Sequence, residues 1–150
     1  MLREAVAYFD GKRVLDSDDI SLLHKTDGFC WIELADPTDA EINQVAREFN
    51  LHELMVEDVL HGMQRPKVED YGDHEFIIVK TLHYEESTSQ VETGELAVCI
   101  GRQFVITVQR GNGVDLASAR QRLEAEPRQL AEGPYAVLYA IMDLVVDQYQ

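Results

Sequence analysis

The apolar positions of this chain alternate between strand-like runs and helix-like stripes. Short apolar runs bounded by turn residues predict β-strands, and apolar residues three and four positions apart predict amphipathic helices. Six strands are predicted, over residues 5–9, 12–15, 29–34, 76–79, 96–100 and 104–108. Five helices are predicted, over residues 17–24, 37–49, 51–59 and 115–124 and from residue 134 onward. Asp36 is expected to cap the second of these helices, with Pro37 as its first residue.

Turn residues predict how neighbouring strands connect. Asp10 and Gly11 lie between two apolar runs, which favours a type I′ hairpin turn because both residues tolerate positive φ. Gly101 followed by Arg102 favours a type II′ turn between the last two strands. The polar residues 85–93 predict an exposed loop.

The last three apolar runs are nearly continuous rather than alternating. Strands buried on both faces have this pattern, because each face of the sheet is covered by helices. The predicted fold class is therefore α/β, with helices on both sides of a largely buried sheet. No internal repeat and no second domain are evident, so residues 1–150 are expected to form a single domain.

The last helical pattern is still running where the chain ends. Its apolar positions are Val137, Leu138, Ile141, Leu144 and Val145. No glycine, proline or basic last turn follows them, and Asp143 and Asp147 lie where the helix dipole disfavours negative charge. We therefore expect the helix to continue beyond Gln150 and the chain to be a fragment of a longer protein.

Composition narrows the function classes. Of 150 residues, 45% are apolar, which excludes a disordered tail despite the charge. There are 28 acids and 13 bases, for a formal charge of −15, and this charge disfavours nucleic-acid and anionic-lipid partners. Cations, basic proteins and other copies of the chain are the partners to consider.

The cysteines and the length of the apolar runs indicate the kind of cellular compartment in which the chain is expected. Cys30 and Cys99 each lie within an apolar run and are interpreted as buried free thiols in a reduced compartment, although a disulfide bridge between them stays open. No secretory signal is visible at the N-terminus. The longest unbroken apolar run, residues 136–142, is far shorter than the roughly 20 residues that span a bilayer. The chain as given is therefore expected to be soluble.

Two stretches resemble enzyme motifs but are incomplete. The sequence beginning at His52 has Val56 where a zinc-protease helix needs a second histidine. The Gly111-Asn112-Gly113 stretch has Leu116 where a dinucleotide-binding loop needs its third glycine. No catalytic residues are predicted, and the chain is not expected to be an enzyme.

Four carboxylates are the candidate site residues. Glu57 and Asp58 lie late in a short predicted helix, and Asp143 and Asp147 lie one turn apart on the last helix. Mg²⁺ is held by one or two carboxylates and keeps most of its waters, so either pair is a possible hard-cation site. A solvated acidic face is the alternative, and the spacing alone does not choose between them.

One basic cluster, residues 64–67, lies in an acidic region. Its proline predicts a break after the preceding helix. Its charges are expected to pair in a loop with neighbouring acids such as Glu69 and Asp70.

Several separated stretches of this chain resemble, in the same order, the cytoplasmic N-terminal domain of the CorA family of divalent-cation channels. They are residues 31–34, 51–60 (Leu-His-Glu-Leu-Met-Val-Glu-Asp-Val-Leu), 64–69 (Gln-Arg-Pro-Lys-Val-Glu), 71, 76–80, 104–109 and 135–149. The chain departs from the family where Glu53 replaces the usual proline after the histidine.

The resemblance implies a homopentamer with an α/β/α sandwich on a mixed sheet, a long stalk helix and two membrane helices beyond residue 150. Metal bound between the cytoplasmic domains of adjacent subunits senses internal Mg²⁺ in this family and favours the closed channel. By the motif match, Asp58 and Asp143 are expected to be ligands, Glu57 a secondary ligand and Asp147 an outer-sphere neighbour.

The resemblance therefore predicts a regulatory domain on the cytoplasmic side of the inner membrane, in a transporter of Mg²⁺ and possibly of Co²⁺ or Ni²⁺. The isolated domain would bind Mg²⁺ weakly and would meet the membrane only through helices outside this chain. Alternatives are the zinc-transporting branch of the family, a soluble acidic interaction module and, less favoured, a metal-dependent hydrolase. The lack of a cysteine or histidine cluster favours Mg²⁺ over zinc.

Overall fold

A computed structural model describes residues 1–62, 64–111 and 113–149 of the chain. Seven strands form one mixed sheet in the order β2-β1-β3-β7-β6-β5-β4, in which only the central β3–β7 pair is parallel. The strands are β1 (Leu2–Phe9), β2 (Lys12–Asp16), β3 (Phe29–Ala35), β4 (Lys67–Asp70), β5 (His74–Glu85), β6 (Gln90–Gly101) and β7 (Phe104–Arg110).

Helices cover both faces of this sheet. They are α1 (Ile20–His24), α2 (Asp39–Phe49), α3 (Glu53–His61), α4 (Leu116–Glu124), α5 (Pro127–Leu130) and α6 (Pro134–Asp147). Buried residues of α1, α2 and α3 form one apolar core against the sheet, and those of α4, α5 and α6 form a second core. The predicted α/β class, with helices on both sides of a buried sheet, is confirmed.

The central strand β3 shows why the apolar runs are continuous. Cys30 and Ile32 point into the core beneath α1–α3, and Trp31 points into the core beneath α4–α6. Successive side chains of a strand face opposite sides of the sheet, so a strand between two cores carries apolar residues on both of its faces. Cys30 and Cys99 are buried free thiols, as predicted.

The two predicted hairpin turns have different outcomes. The β1–β2 turn is confirmed, because Asp10 has φ of 52° and Gly11 has φ of 77°, as a type I′ turn requires. The type II′ prediction at Gly101 is wrong, since Gly101 ends β6 without a positive φ. A Cβ atom at Gly101 would lie 2.2 Å from the ring of Phe104, so ring packing explains the glycine.

The predicted N-cap of α2 is also wrong. Thr38 caps the helix in a capping box with Glu41, a Thr-x-x-Glu signal that outweighs Asp36-Pro37. Asp36 instead has φ of 42°, and its carboxylate accepts a hydrogen bond of 3.1 Å from the Gly111 N–H. It therefore joins the carboxyl ends of β3 and β7. Asn112, in the Gly111-Asn112-Gly113 stretch, lies outside the described residues.

Three polar segments depart from the prediction. Only residues 86–89 form a turn between β5 and β6, because residues 90–93 pair with β5 and continue the hairpin. Strand β4 pairs with β5, although the basic cluster there predicted a loop. Helix α5 was not predicted. All three are short or mostly exposed, so apolar periodicity carries no signal for them.

The final helix is confirmed over Pro134–Asp147. Gln150 lies outside the described residues, and continuation of the helix beyond it stays a prediction. Within residues 1–62, 64–111 and 113–149, we find no helix with the length and apolarity needed to span a membrane.

Candidate functional site

Helix α3 positions the first pair of candidate acids. The ring nitrogen Nδ1 of His52 accepts a hydrogen bond of 3.1 Å from the Leu54 N–H and caps the helix. Met55 and Val59 are buried and hold one side of α3 against the sheet. Asp58 lies on the partly exposed side with Glu57, which is exposed.

Asp58 already holds a cation from its own chain. The ammonium group of Lys67, on β4, donates a hydrogen bond to the Asp58 carboxylate. The same ammonium lies 3.8 Å from a carboxylate oxygen of Glu69. The hydrogen bond to Asp58 raises the pKa of Lys67, so the ammonium stays charged at neutral pH. The expected pairing of the basic cluster with Glu69 is found. Lys67 also pairs with Asp58, however, and not with Asp70. It lies in a strand, whereas a loop was predicted.

Helix α6 positions the second pair. Val137 and Ile141 are fully buried and anchor α6 on the opposite face of the sheet. Asp143 and Asp147 are exposed one turn apart, and no ion pair within 4 Å involves Asp143 in the described part of the chain. Asp147 is the last residue of the helix, where the helix dipole disfavours its charge.

Asp143 also borders a surface cleft of about 560 Å³ between α4, α5 and α6. Arg122 and Arg128 line the same cleft, together with the acids Glu126 and Glu132. Charges of both signs therefore surround Asp143 at longer range, and its carboxylate remains open to a ligand from outside the chain.

The two acid pairs lie on opposite faces of the sheet. Asp58 belongs to the α1–α3 layer and Asp143 to the α4–α6 layer, so one ion cannot bind both within one chain. Among residues 1–62, 64–111 and 113–149, no three His, Cys, Asp or Glu side chains are grouped closely enough to hold a metal ion. The carboxylate oxygens fit a hard cation such as Mg²⁺ in kind, but each pair offers only part of a coordination shell.

Sequence reasoning missed a buried charged cluster beneath α4. Arg120 is only 5% exposed, pairs with Glu33, and lies over the ring of Trp31 at 4.3 Å from its centroid. The Trp31 indole N–H donates a hydrogen bond of 3.1 Å to the Thr107 hydroxyl. An arginine within the apolar stripe of α4 was the available signal, because a buried charge needs a partner.

The protein is an α/β/α domain built on a mixed sheet, with exposed carboxylates on helices of both layers. The family follows from sequence comparison. Residues 26–150 match the CorA-like Mg²⁺ transporter protein family, and the chain belongs to this family. The resemblance found in the motifs is thereby confirmed.

Relatives and a solved structure agree with this assignment. YfjQ of Bacillus subtilis, named as a metal ion transporter, is 34% identical over 119 residues, which cover 79% of this chain and 36% of YfjQ. The cobalt/magnesium transport protein CorA of Thermotoga maritima is 28% identical over 110 residues, covering 72% of this chain and 31% of that protein. The chain thus spans about a third of the length of these relatives.

The soluble domain of CorA from Methanocaldococcus jannaschii has the same fold. It superposes with a TM-score of 0.72 at 22% identity, over 97% of this chain and 56% of that structure. The predicted α/β/α architecture on a mixed sheet with a helix at its C-terminal end is therefore confirmed by an independent structure.

Proposed function

We propose that this chain is the cytoplasmic regulatory domain of a Mg²⁺ transport protein that assembles from several copies of one polypeptide. Membership of the CorA-like family over residues 26–150 is the observation that carries the proposal. The length of the relatives supports the idea that the domain works within a longer polypeptide, whose remaining part would cross the membrane. Transport, rather than catalysis, is the proposed activity.

Within that assembly, Asp58 and Asp143 are the proposed ligands for a regulatory divalent cation. Their placement on opposite faces of the sheet supports binding between copies, where the surface of a neighbouring subunit completes the coordination shell. Glu57, next to Asp58, is the proposed secondary ligand, and Asp147, one turn from Asp143, would accept hydrogen bonds from waters that Mg²⁺ retains. Five copies are expected from the resemblance.

The charge of the chain supplies the physical basis of regulation. Each copy carries a formal charge of −15, so acidic surfaces of neighbouring copies repel one another. The carboxylates bind a divalent cation best in the arrangement that brings these surfaces together. If that arrangement is the closed one, rising internal Mg²⁺ shifts the population towards the closed state.

Oxygen ligands favour Mg²⁺ over zinc as the regulatory ion. Both cysteines are buried, and burial raises the pKa of Cys30 and of Cys99 to about 12, so neither supplies a thiolate at neutral pH. The proposed ligands are carboxylates, whose oxygen atoms suit Mg²⁺. Carboxylates also bind Co²⁺, but with less selectivity.

Transport by the full-length polypeptide in lipid vesicles tests the proposal. We expect Mg²⁺ uptake that falls as Mg²⁺ on the domain's side rises. The double variant Asp58→Asn/Asp143→Asn should keep the uptake and lose its inhibition. The control Asp18→Asn/Glu86→Gln removes two charges from exposed acids elsewhere and should behave as the wild type.

Other outcomes of the assay contradict parts of the proposal. Uptake of Zn²⁺ without Mg²⁺ assigns the protein to the zinc-transporting alternative. Unchanged inhibition in the double variant removes Asp58 and Asp143 from the regulatory site. A gene whose reading frame ends soon after the codon for Gln150 leaves only the interaction-module alternative.

A further inference from the structure

We infer that Lys67 is an internal counter-ion that competes with the divalent cation for Asp58, so that metal binding at α3 is an exchange of one cation for another. The inference rests on the proposed role of Asp58 as a ligand. It adds a residue that sets how much divalent cation is needed before the site responds.

The contact is formed by two side chains that are both largely shielded from solvent. Asp58 is 24% exposed and Lys67 is 28% exposed. They belong to different elements, α3 and β4, and their ion pair links the two elements at this point. A pair shielded to this degree is screened less by salt than a fully exposed pair.

The ammonium and a divalent cation compete for one carboxylate, because Lys67 donates to the Oδ2 atom of Asp58. Mg²⁺ binds carboxylate oxygens at about 2.0–2.1 Å. An ammonium group on the same carboxylate would then lie close to the metal, and the two positive charges would repel each other. The repulsion between the two cations therefore favours withdrawal of Lys67 when a metal binds Asp58. Glu69 offers a second carboxylate 3.8 Å from the ammonium and is more exposed than Asp58, so the freed ammonium has a nearby place to go.

Exchange has two consequences for the site. The affinity for the divalent cation is lowered by the energy of the displaced ion pair and by the repulsion of the retained charge, so the site responds only at higher metal concentration. Binding also releases the link between α3 and the edge strand β4. The metal thus changes a contact within the domain as well as a contact between copies.

The test measures divalent binding to this chain at single residues. Mn²⁺ serves as the probe, since it takes the oxygen ligands of Mg²⁺ and broadens the NMR signals of nearby amides, and added Mg²⁺ reverses the broadening at a shared site. We expect Lys67→Gln to lower the Mn²⁺ concentration that half-broadens the α3 amides by about three- to tenfold.

Two variants are matched controls. Lys67→Arg keeps the charge and should stay within about twofold of the wild type. Arg65→Gln removes the same charge two residues away, from an exposed side chain for which no ion pair with Asp58 is found among the described residues. It should change the half-broadening Mn²⁺ concentration by less than about twofold.

The outcomes separate this inference from the proposed function. If Asp58→Asn abolishes the broadening at α3 while Lys67→Gln leaves the concentration unchanged, Asp58 is a ligand and the exchange inference is wrong. The proposed role of Asp58 fails, and the inference fails with it, if Asp58→Asn leaves the broadening intact. It also fails if the wild type shows no broadening at α3 even at the high Mn²⁺ concentration that a site without its partner-subunit ligands needs.

A second measurement needs no substitution and so does not depend on the folding of a variant. The ¹⁵Nζ signal of Lys67 in the wild-type chain should move towards that of an exposed lysine as Mg²⁺ is added. A Lys67 signal that stays fixed while the α3 amides respond to Mg²⁺ would overturn the exchange.

Discussion

Helices α3 and α6 each carry a pair of acids on the outer surface of the same sheet, but the two surfaces differ in charge balance. Asp58 on α3 is neutralised by Lys67 from its own chain. Asp143 on α6 has Asp147 one turn away, and in the described part of the chain no cation lies within 4 Å of it. If both pairs bind a divalent cation as proposed, α3 would exchange one cation for another, whereas α6 would gain its first close cation.

Packing beneath the two helices also differs. The 14-residue α6 is anchored by Val137 and Ile141, which are fully buried. The 9-residue α3 is anchored by Met55 and Val59, and both side chains border an apolar cavity of about 20 Å³. Because packing defects lower local stability, α3 is expected to be the more easily displaced helix.

The largest expected effect is the loss of stability when a core residue of α6 or of α3 is shortened. Ile141→Ala should lower the free energy of unfolding by about 3–4 kcal/mol, and Met55→Ala by about 2–3 kcal/mol, since a flexible side chain beside an existing void leaves a smaller new defect. Urea denaturation measures both. Leu54→Ala, at an exposed position of α3, is the control and should stay within about 0.5 kcal/mol of the wild type. A greater loss for Met55→Ala than for Ile141→Ala would reverse the comparison.

The next effect concerns Glu124, an acid on the α6 side of the sheet that pairs with residues of its own chain. Glu124 accepts hydrogen bonds of 2.7 Å from the Tyr8 hydroxyl and from Arg13. Burial raises the pKa of Glu124, but these hydrogen bonds outweigh burial, and the net pKa lies below its ordinary value. A lowered carboxylate pKa stabilises the fold above the unfolded pKa, and this stability is lost as pH falls through the folded value.

Glu124→Gln should therefore cost about 1 kcal/mol at pH 7 and flatten the acid limb of the stability curve. Urea denaturation from pH 7 to pH 3 measures this. The exposed Glu132, which borders the Asp143 cleft, provides the control Glu132→Gln. An acid limb that is equally steep in Glu124→Gln would show that the stabilisation does not depend on the Glu124 charge.

The third effect compares the candidate ligands themselves in chelator-treated protein. Asp58→Asn should lower the free energy of unfolding by about 0.5–1 kcal/mol, because it breaks the pair with Lys67. Asp143→Asn should raise it by about 0.3 kcal/mol, because it removes a charge that Asp147 and the helix dipole oppose. Changes of the same sign in the two variants would contradict the difference in charge balance, and high salt should shrink both.

The smallest effect is a difference in labelling rate. Burial raises the pKa of Cys30 and Cys99 to about 12, so below pH 9 both thiols stay protonated in the folded chain and react with a thiol reagent only on opening. Cys99 lines the cavity beneath α3 and Cys30 does not. Mass spectrometry of the labelled chain should therefore find Cys99 modified before Cys30, and the opposite order would argue against a looser α3.

The sandwich was predictable because the periodicity of apolar residues encodes burial. The burial of β6 and β7 on both faces over residues 96–100 and 104–108 followed from this pattern, and the hairpin at Asp10-Gly11 followed from turn chemistry. Strand β4 did not, because its only apolar residue, Val68, is exposed and the strand exists through pairing with β5. The N-cap of α2 was misplaced because Asp36 bonds a residue 75 positions away.

The candidate acids could be predicted from the sequence, but the side chains around them could not. Asp58 and Asp143 came from motifs that resemble a family, but the side of the sheet on which each lies depends on the path of the chain after β3 and β7. The Lys67 contact was missed because it depends on where the edge strand passes α3. A short ion pair between separate elements has no signature in local spacing.

Anomalous diffraction from crystals of the full-length protein grown with Mn²⁺ tests the central claim most directly. The account predicts two separate Mn²⁺ peaks for each copy, one at Asp58 and one at Asp143, each completed by atoms of another copy, with the Lys67 ammonium moved from Asp58 towards Glu69. Mn²⁺ bound at other acids while Asp58 still holds Lys67 and Asp143 holds no ion would contradict it.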